Sequence, residues 1–294
     1  MHCTLGVDVG TSSTKGVLVA HDGEIVASAT RAHDVDRPRT GWVEMDAHIW
    51  WDEFVSIAGE LISAHTDVEI TAVGVSGMGP CVLLADAHDE PVRPAILYGV
   101  DTRSGAQIAR MTDELGIDEI TRVGGSTLTS QAAGAKIAWI SDEEPDAWTD
   151  ARRFFMPASW LARKLTGAYV LDHQSASQTS PLYDIENETW YDPWWQRYAG
   201  TIEQPRLTWA GDIAGPRPVH SPARATSQAG SPPPAHSPRG SKTSPDPTIR
   251  NSSPRPRSRA RAPMACSSCR TSQESVRRSR TPTRAASSPV SHSN

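Results

Sequence analysis

Leucine, phenylalanine, tryptophan and tyrosine are all absent from residues 216–294 of this 294-residue sequence. Those 79 residues hold 14 Pro and 18 Ser instead. They cannot bury enough apolar surface to offset the entropy of ordering a chain, so they read as a disordered Pro/Ser/Arg-rich tail. All ten Trp lie before residue 210, and residues 1–215 fall within the size range of a single core. Cysteine is scarce as well. Cys3, Cys81, Cys266 and Cys269 are too few and too scattered for a disulfide framework. Cys266 and Cys269 form a CxxC, but they lie in the tail with no second pair, so no metal or redox site is expected there. No charged-then-apolar leader opens the chain, and no apolar run approaches the roughly 18 residues of a membrane span. The expectation is a cytoplasmic protein with no membrane partner.

The net charge of −5 conceals an asymmetry. The tail carries 14 of the 29 basic residues and 2 of the 34 acidic ones, which leaves 15 basic and 32 acidic in the first 215. A body of net charge −17 is a poor nucleic-acid surface, so no such partner is expected. The basic tail reads as solvated chain.

Residues 4–9 form a mostly apolar run ending at Gly10. A polar turn, Thr11-Ser12-Ser13-Thr14, leads into a second run from Gly16 to Ala20. His21-Asp22-Gly23 signals a tight turn before a third strand, Glu24 to Thr30. The period then changes. Asp46 is a good N-cap, and Trp50, Phe54, Ile57, Ala58 and Leu61 trace one face of a helix reaching about His65. Ile70 to Val75 reads as a buried strand, and Val82–Ala85 and Ala95–Tyr98 are further strand candidates. Helices are expected from Thr102 to Leu115, from Gly134 to Ile140, and from Pro157 until Gly167 stops it. Periodicity alone supports an α/β fold with a mixed sheet.

The segment richest in chemistry is Asp8-Val9-Gly10-Thr11-Ser12-Ser13-Thr14-Lys15. Gly10 lets the backbone turn close to a ligand, and the hydroxyl residues add donors to clustered N–H groups that suit polyphosphate. Lys15 adds a charge. Asp8 would hold Mg²⁺ through water, because that ion gives up its hydration reluctantly. An ordinary polar hairpin turn would read the same. The pattern is not Walker A, since the loop joins two strands.

The stretch G-V-D-V-G-T-S-S-T-K (Gly6–Lys15) resembles the N-terminal phosphate loop of the FGGY carbohydrate kinases. Gly41-Trp42-Val43-Glu44-x-Asp46 with Trp50-Trp51 is similar to the family's segment after the third strand. Pro94 to Arg103 resembles its P-A-I-x-W-x-D-x-R stretch. Lys136-Ile137-x-Trp139 resembles part of a family signature, in which Ala133 departs from the usual residue. Pro157, Trp160 and Leu165-Thr166-Gly167, with Asp172 and Leu182-Tyr183-Asp184, continue the likeness. It covers residues 4 to 215. The resemblance implies a ribonuclease-H-like, actin-like ATPase domain that phosphorylates a sugar or polyol with ATP and Mg²⁺. Asp8, Gly10, Thr11, Ser12, Ser13 and Lys15 would grip the nucleotide phosphates. Met78, Gly79 and Pro80 stand where xylulokinases have G-Q-M-H-G, here one residue shorter and without the His. Asp101 and Arg103 would line the sugar cleft, although Asp101 could equally cap a helix and Arg103 pair with an acidic residue.

In this family the catalytic base and the adenosine site belong to a second domain, and the likeness stops after Gly215. Neither Asp212 nor Asp246 is a credible base. The expected organisation is therefore a kinase N-terminal domain over 1–215 and a tail over 216–294. The tail's Arg, Pro, Ser and Ala bias is what a GC-rich reading frame yields when read out of frame, so a frameshift near codon 215 is expected. The chain would then be inactive alone. The other reading is a non-catalytic sugar- or phosphate-binding module whose basic tail recruits a partner.

Overall fold

The computed structural model describes residues 1–216. The tail beyond Pro216, with its CxxC and Asp246, lies outside the described residues. The expected meander is present. β1 (His2–Val9), β2 (Ser13–Ala20) and β3 (Ile25–Ala32) pair antiparallel in order. β4 (Glu44–Met45) and α1 (His48–Ala64) follow, and then β5 (Glu69–Gly77) returns parallel to β1. The result is a mixed sheet in the order β3-β2-β1-β5.

Alternation along β1 buries Cys3, Leu5, Val7 and Val9 on one face, as a period of two requires. Helix α1 packs on that face through Trp50, Phe54, Ile57 and Leu61. It sits very close at Gly16, where an added Cβ would stand 2.3 Å from Ile57 Cγ2. Asp46 is not the N-cap expected from the sequence, because the helix begins one residue later than that reading required. Ala47 is the N-cap residue, and the Asp46 carboxylate accepts from the His48 amide at 2.9 Å. The opposite face of the sheet, with Thr4, Asp8, Lys15, Ala72, Gly74 and Ser76, is exposed. The reading of Ile70–Val75 as a buried strand is corrected accordingly. β5 lies at the end of the strand order, and only Ile70, Val73 and Val75 turn toward the core.

After β5 come β6 (Leu83–Ala85), β7 (Ala95–Ile96), α2 (Gly105–Leu115), α3 (Ile117–Gly124), α4 (Ala133–Glu143), α5 (Pro145–Asp150), β8 (Arg153–Phe155) and α6 (Pro157–Thr166). Short strand pairs β4–β7 and β6–β8 stitch this part together. Helix α6 has Pro157 in its first turn and ends at Gly167, whose φ of 75° is the left-handed conformation glycine accommodates at a helix end. It covers β1 and β5 on the same side as α1, and Trp160 meets Trp50 edge-to-face at 6.0 Å. The remaining elements are β9 (Val170–Asp172), α7 (His173–Ser177), β10 (Tyr183–Asp184), β11 (Thr189–Trp190), α8 (Asp192–Ala199) and β12 (Arg206–Thr208). With α2–α5 they enclose a second apolar cluster around Met111, Ile137, Phe154 and Trp195. The shorter helices α3, α5, α7 and α8 had no individual sequence signal.

Candidate active site

The turn after β1 is shorter than its sequence suggested. Gly10, Thr11 and Ser12 form the turn, and Ser13 already belongs to β2. The Gly10 amide donates to the Ser13 carbonyl at 3.0 Å, and an added Cβ on Gly10 would come as close to that oxygen. Among the described residues, the amides of Thr11 and Ser12 donate to no protein group. Lys15 is not in the turn at all. It lies directly across from Asp8 in the β1–β2 pairing, and Ser76 lies across from Asp8 in β5. Lys15, Asp8 and Ser76 thus form a row over three strands on the exposed face. The Ser76 hydroxyl donates to Asp8 Oδ1 at 2.7 Å, which fixes one carboxylate oxygen and leaves the exposed group free to hold a hydrated cation.

Parallel pairing of β1 with β5 brings the next loop to the same end of the sheet. The Met78 amide donates to the Val9 carbonyl at 2.7 Å. Met78 is half-buried, Gly79 exposed and Pro80 buried, so Pro80 anchors the loop and the first two can face a ligand. Tyr98 links the two loops' surroundings, because its hydroxyl lies 2.8 Å from Thr11 Oγ1. Beside them lies a cavity of about 310 Å³ whose lining includes Thr127, Thr129, Gln131, Ser177, Gln178 and Ser180. Gln178 Oε1 would stand 3.3 Å from a Cβ on Gly79, and Gln131 Nε2 would stand 2.6 Å from one on Gly99. No charged residue lines the cavity. Neutral amides and hydroxyls are the chemistry that matches a polyol. Tyr98, Ser76, Gln131 and Gln178 were not singled out from sequence.

Asp101 and Arg103 do not line this space, and their assignment to the sugar cleft is corrected. Both side chains have no exposed surface and pair with each other at 2.7 Å. Asp101 also accepts from the Val43 amide at 2.7 Å, and Arg103 donates to Glu44 at 2.6 Å. Arg103 lies 4.1 Å from the Trp42 ring centroid and 4.9 Å from that of Trp139. Arg93 makes a second link to Glu44 and reaches Glu144. Three of the motifs read from sequence therefore meet in one buried knot. Lys136 is also fully buried. Burial pushes its ammonium down to about 8, against the pull of Asp101. Its Nζ donates to the Ser130 carbonyl at 2.8 Å, and the Ser130 hydroxyl donates to the Gly99 carbonyl at 3.0 Å. This chain of bonds fastens the Ser130–Gln131 segment beside Tyr98.

Residues 3–215 match the family described as "FGGY family of carbohydrate kinases, N-terminal domain". The chain belongs to the FGGY carbohydrate kinases. The xylulose kinase of Streptomyces rubiginosus is 35% identical over 72% of this chain and 43% of its own length. The glycerol kinase of Nocardia farcinica is 31% identical over 63% of this chain and 38% of its own. The crystal structure of xylulose kinase from Rhodospirillum rubrum superposes with a TM-score of 0.66 at 27% identity, covering 69% of this chain and 42% of that one. The FGGY chain spans about two fifths of the length of the curated relatives it matches. The fold is that of these kinases, the actin-like ATPase architecture expected from the sequence. Among the described residues no helix is long and apolar enough to cross a membrane.

Proposed function

We propose that residues 1–215 form the lobe of an ATP-dependent sugar or polyol kinase that grips the transferring phosphate and cradles the acceptor. The supporting observation is the meeting of two loops at one end of the sheet. Gly10–Ser12 and Met78–Pro80 are joined by the Met78–Val9 bond, with Tyr98 against Thr11. Thr11, Ser12 and Ser13 would donate to phosphate oxygens, with Gly10 keeping the turn tight and Lys15 supplying the nearby charge. Asp8 would hold Mg²⁺ through water, and that ion offsets charge on the transferring group. The acceptor would lie against Met78 and Gly79, with Gln131 and Gln178 addressing its hydroxyls. The γ-phosphoryl group would pass to a primary hydroxyl, releasing ADP.

The relatives' names include both xylulose and glycerol kinases, and the class proposed for this chain is a neutral polyol. The base and the adenosine site would come from a second lobe, so the 294-residue polypeptide alone would not turn over. A frameshift near codon 215 accounts for the change of composition there. Reading the downstream DNA in the other two frames tests this, and the absence of a second α/β domain in both would refute it.

The grip on phosphate is tested with Mg²⁺-tripolyphosphate and calorimetry on the full chain. Binding is expected, and Lys15→Ala should weaken it about tenfold, the loss of one charge-assisted contact. Equal binding by the variant would remove Lys15 from the site. No binding by the unmodified chain would refute the proposed grip.

A further inference from the structure

We infer that His33 and Glu53 form a brace behind the phosphate loop, which makes His33 a positioning residue for phosphate binding. His33 is the residue after β3, at the same end of the sheet as the loop. Its own amide donates to the Ser12 carbonyl at 3.1 Å. Its ring Nε2 lies 3.0 Å from the Gly10 carbonyl, and Nδ1 lies 2.9 Å from Glu53 Oε2. One residue therefore fastens both ends of the Gly10–Ser12 turn.

The ring is also sealed from water. The His33 side chain is 4% exposed and that of Glu53 14%, so bonds lost here would not be replaced by solvent. Both partners of the ring are acceptors, and a neutral imidazole has a single N–H to give. The two contacts coexist as hydrogen bonds when each nitrogen carries a hydrogen, or when the carboxyl carries one. Glu53 stands on α1, the helix that packs at Gly16 on the following strand. The brace thus ties the loop to the helix that sets the sheet's covered face. With the carbonyls of Gly10, Ser12 and Ser13 all engaged by protein groups, the turn is held in the form that leaves the Thr11 and Ser12 amides without protein acceptors. Nothing in the surrounding sequence marks His33 as more than a polar loop residue.

The ligand side of this inference rests on the proposed grip on phosphate, so the test has two independent arms. The first is amide hydrogen exchange of the full, unliganded chain. His33→Phe keeps an aromatic ring and removes both ring nitrogens, and it should speed exchange of the Gly10 amide and of residue 33's own amide, both bonded to the turn's carbonyls, about tenfold or more. Core amides such as Leu5 and Leu18 should hold their rates. His33→Gln can still donate to Gly10 and should lie between. Glu53→Gln, which can donate to the ring, should leave the loop near its original rate. The second arm is Mg²⁺-tripolyphosphate binding, expected to weaken about tenfold in His33→Phe and to recover partly in His33→Gln.

Unchanged loop exchange and binding in His33→Phe would overturn the brace, as would exchange rising equally throughout the core. Should His33→Phe fail to fold, His33→Gln and Glu53→Gln decide by the same readouts. Should the unmodified chain bind no tripolyphosphate, the proposed phosphate grip fails while the exchange arm still judges the brace.

Discussion

Replacing Arg103 by Ala is expected to lower the free energy of unfolding by about 3–5 kcal/mol, measured by urea denaturation. The size follows from what the change leaves behind. Asp101 would stay in the interior with no exposed surface and without its ionic partner, and Glu44 would lose one of its two arginines. The cavity between Trp42 and Trp139 would add to the loss, because the guanidinium lies close to both rings. Arg103→Lys should be only a partial remedy. It keeps the charge, but it loses the planar fork that meets Asp101 through two nitrogens. The exposed Arg122–Glu119 pair is a useful contrast, since its ions are open to water and salt. Arg122→Ala should leave the midpoint where it is. If Arg103→Ala were equally silent, the knot would not be structural, and a role in the sugar cleft would return.

Much of the architecture is legible because local rules and tertiary demands agree. Two turn signals, at Gly10 and at His21-Asp22-Gly23, separate three apolar runs, and the meander follows. Helix α1 shows a clear apolar period, and α6 has Pro157 at its start and Gly167 at its end. β5 was misread because an apolar run has the same appearance in a central strand and in an edge strand. Ala72, Gly74 and Ser76 were the available clue, small residues on a face that nothing described covers.

At the candidate site, the Gly10–Ser12 turn with Asp8 and Lys15 on the strands beside it could be picked out because these residues are adjacent in sequence. Tyr98, Gln131 and Gln178 come from three distant segments, and a lone amide in a polar stretch resembles any solvated side chain. Asp101 and Arg103 show the opposite difficulty. Two charges spaced at i and i+2 fit a ligand site and an internal ion pair equally well, and burial decides between them. His33 was invisible for a related reason, since its meaning depends on Glu53 twenty residues away.

The second large effect concerns turnover. The purified 294-residue chain should show no sugar-dependent ATP consumption above the protein-free rate. Loss of a general base alone removes about 10²–10⁴ in rate, and loss of the surfaces that align nucleotide and acceptor removes further orientation effects. Fusing a second FGGY lobe after Gly215 should raise the rate by at least that factor of 10²–10⁴. Turnover by the unfused chain would mean that this lobe carries a base of its own, and Asp8 would be the first carboxylate to test.

The Gly10–Ser12 and Met78–Pro80 loops are proposed to form one ligand-binding end. The most direct test is an amide spectrum of the full chain titrated with Mg²⁺-ATP and then with xylulose or glycerol. Shifts on adding nucleotide should gather at residues 8–15, and shifts on adding the polyol at residues 76–80, Gly99, Gln131 and Gln178. Shifts spread elsewhere, or centred on Asp101 and Arg103 with the two loops silent, would contradict the claim.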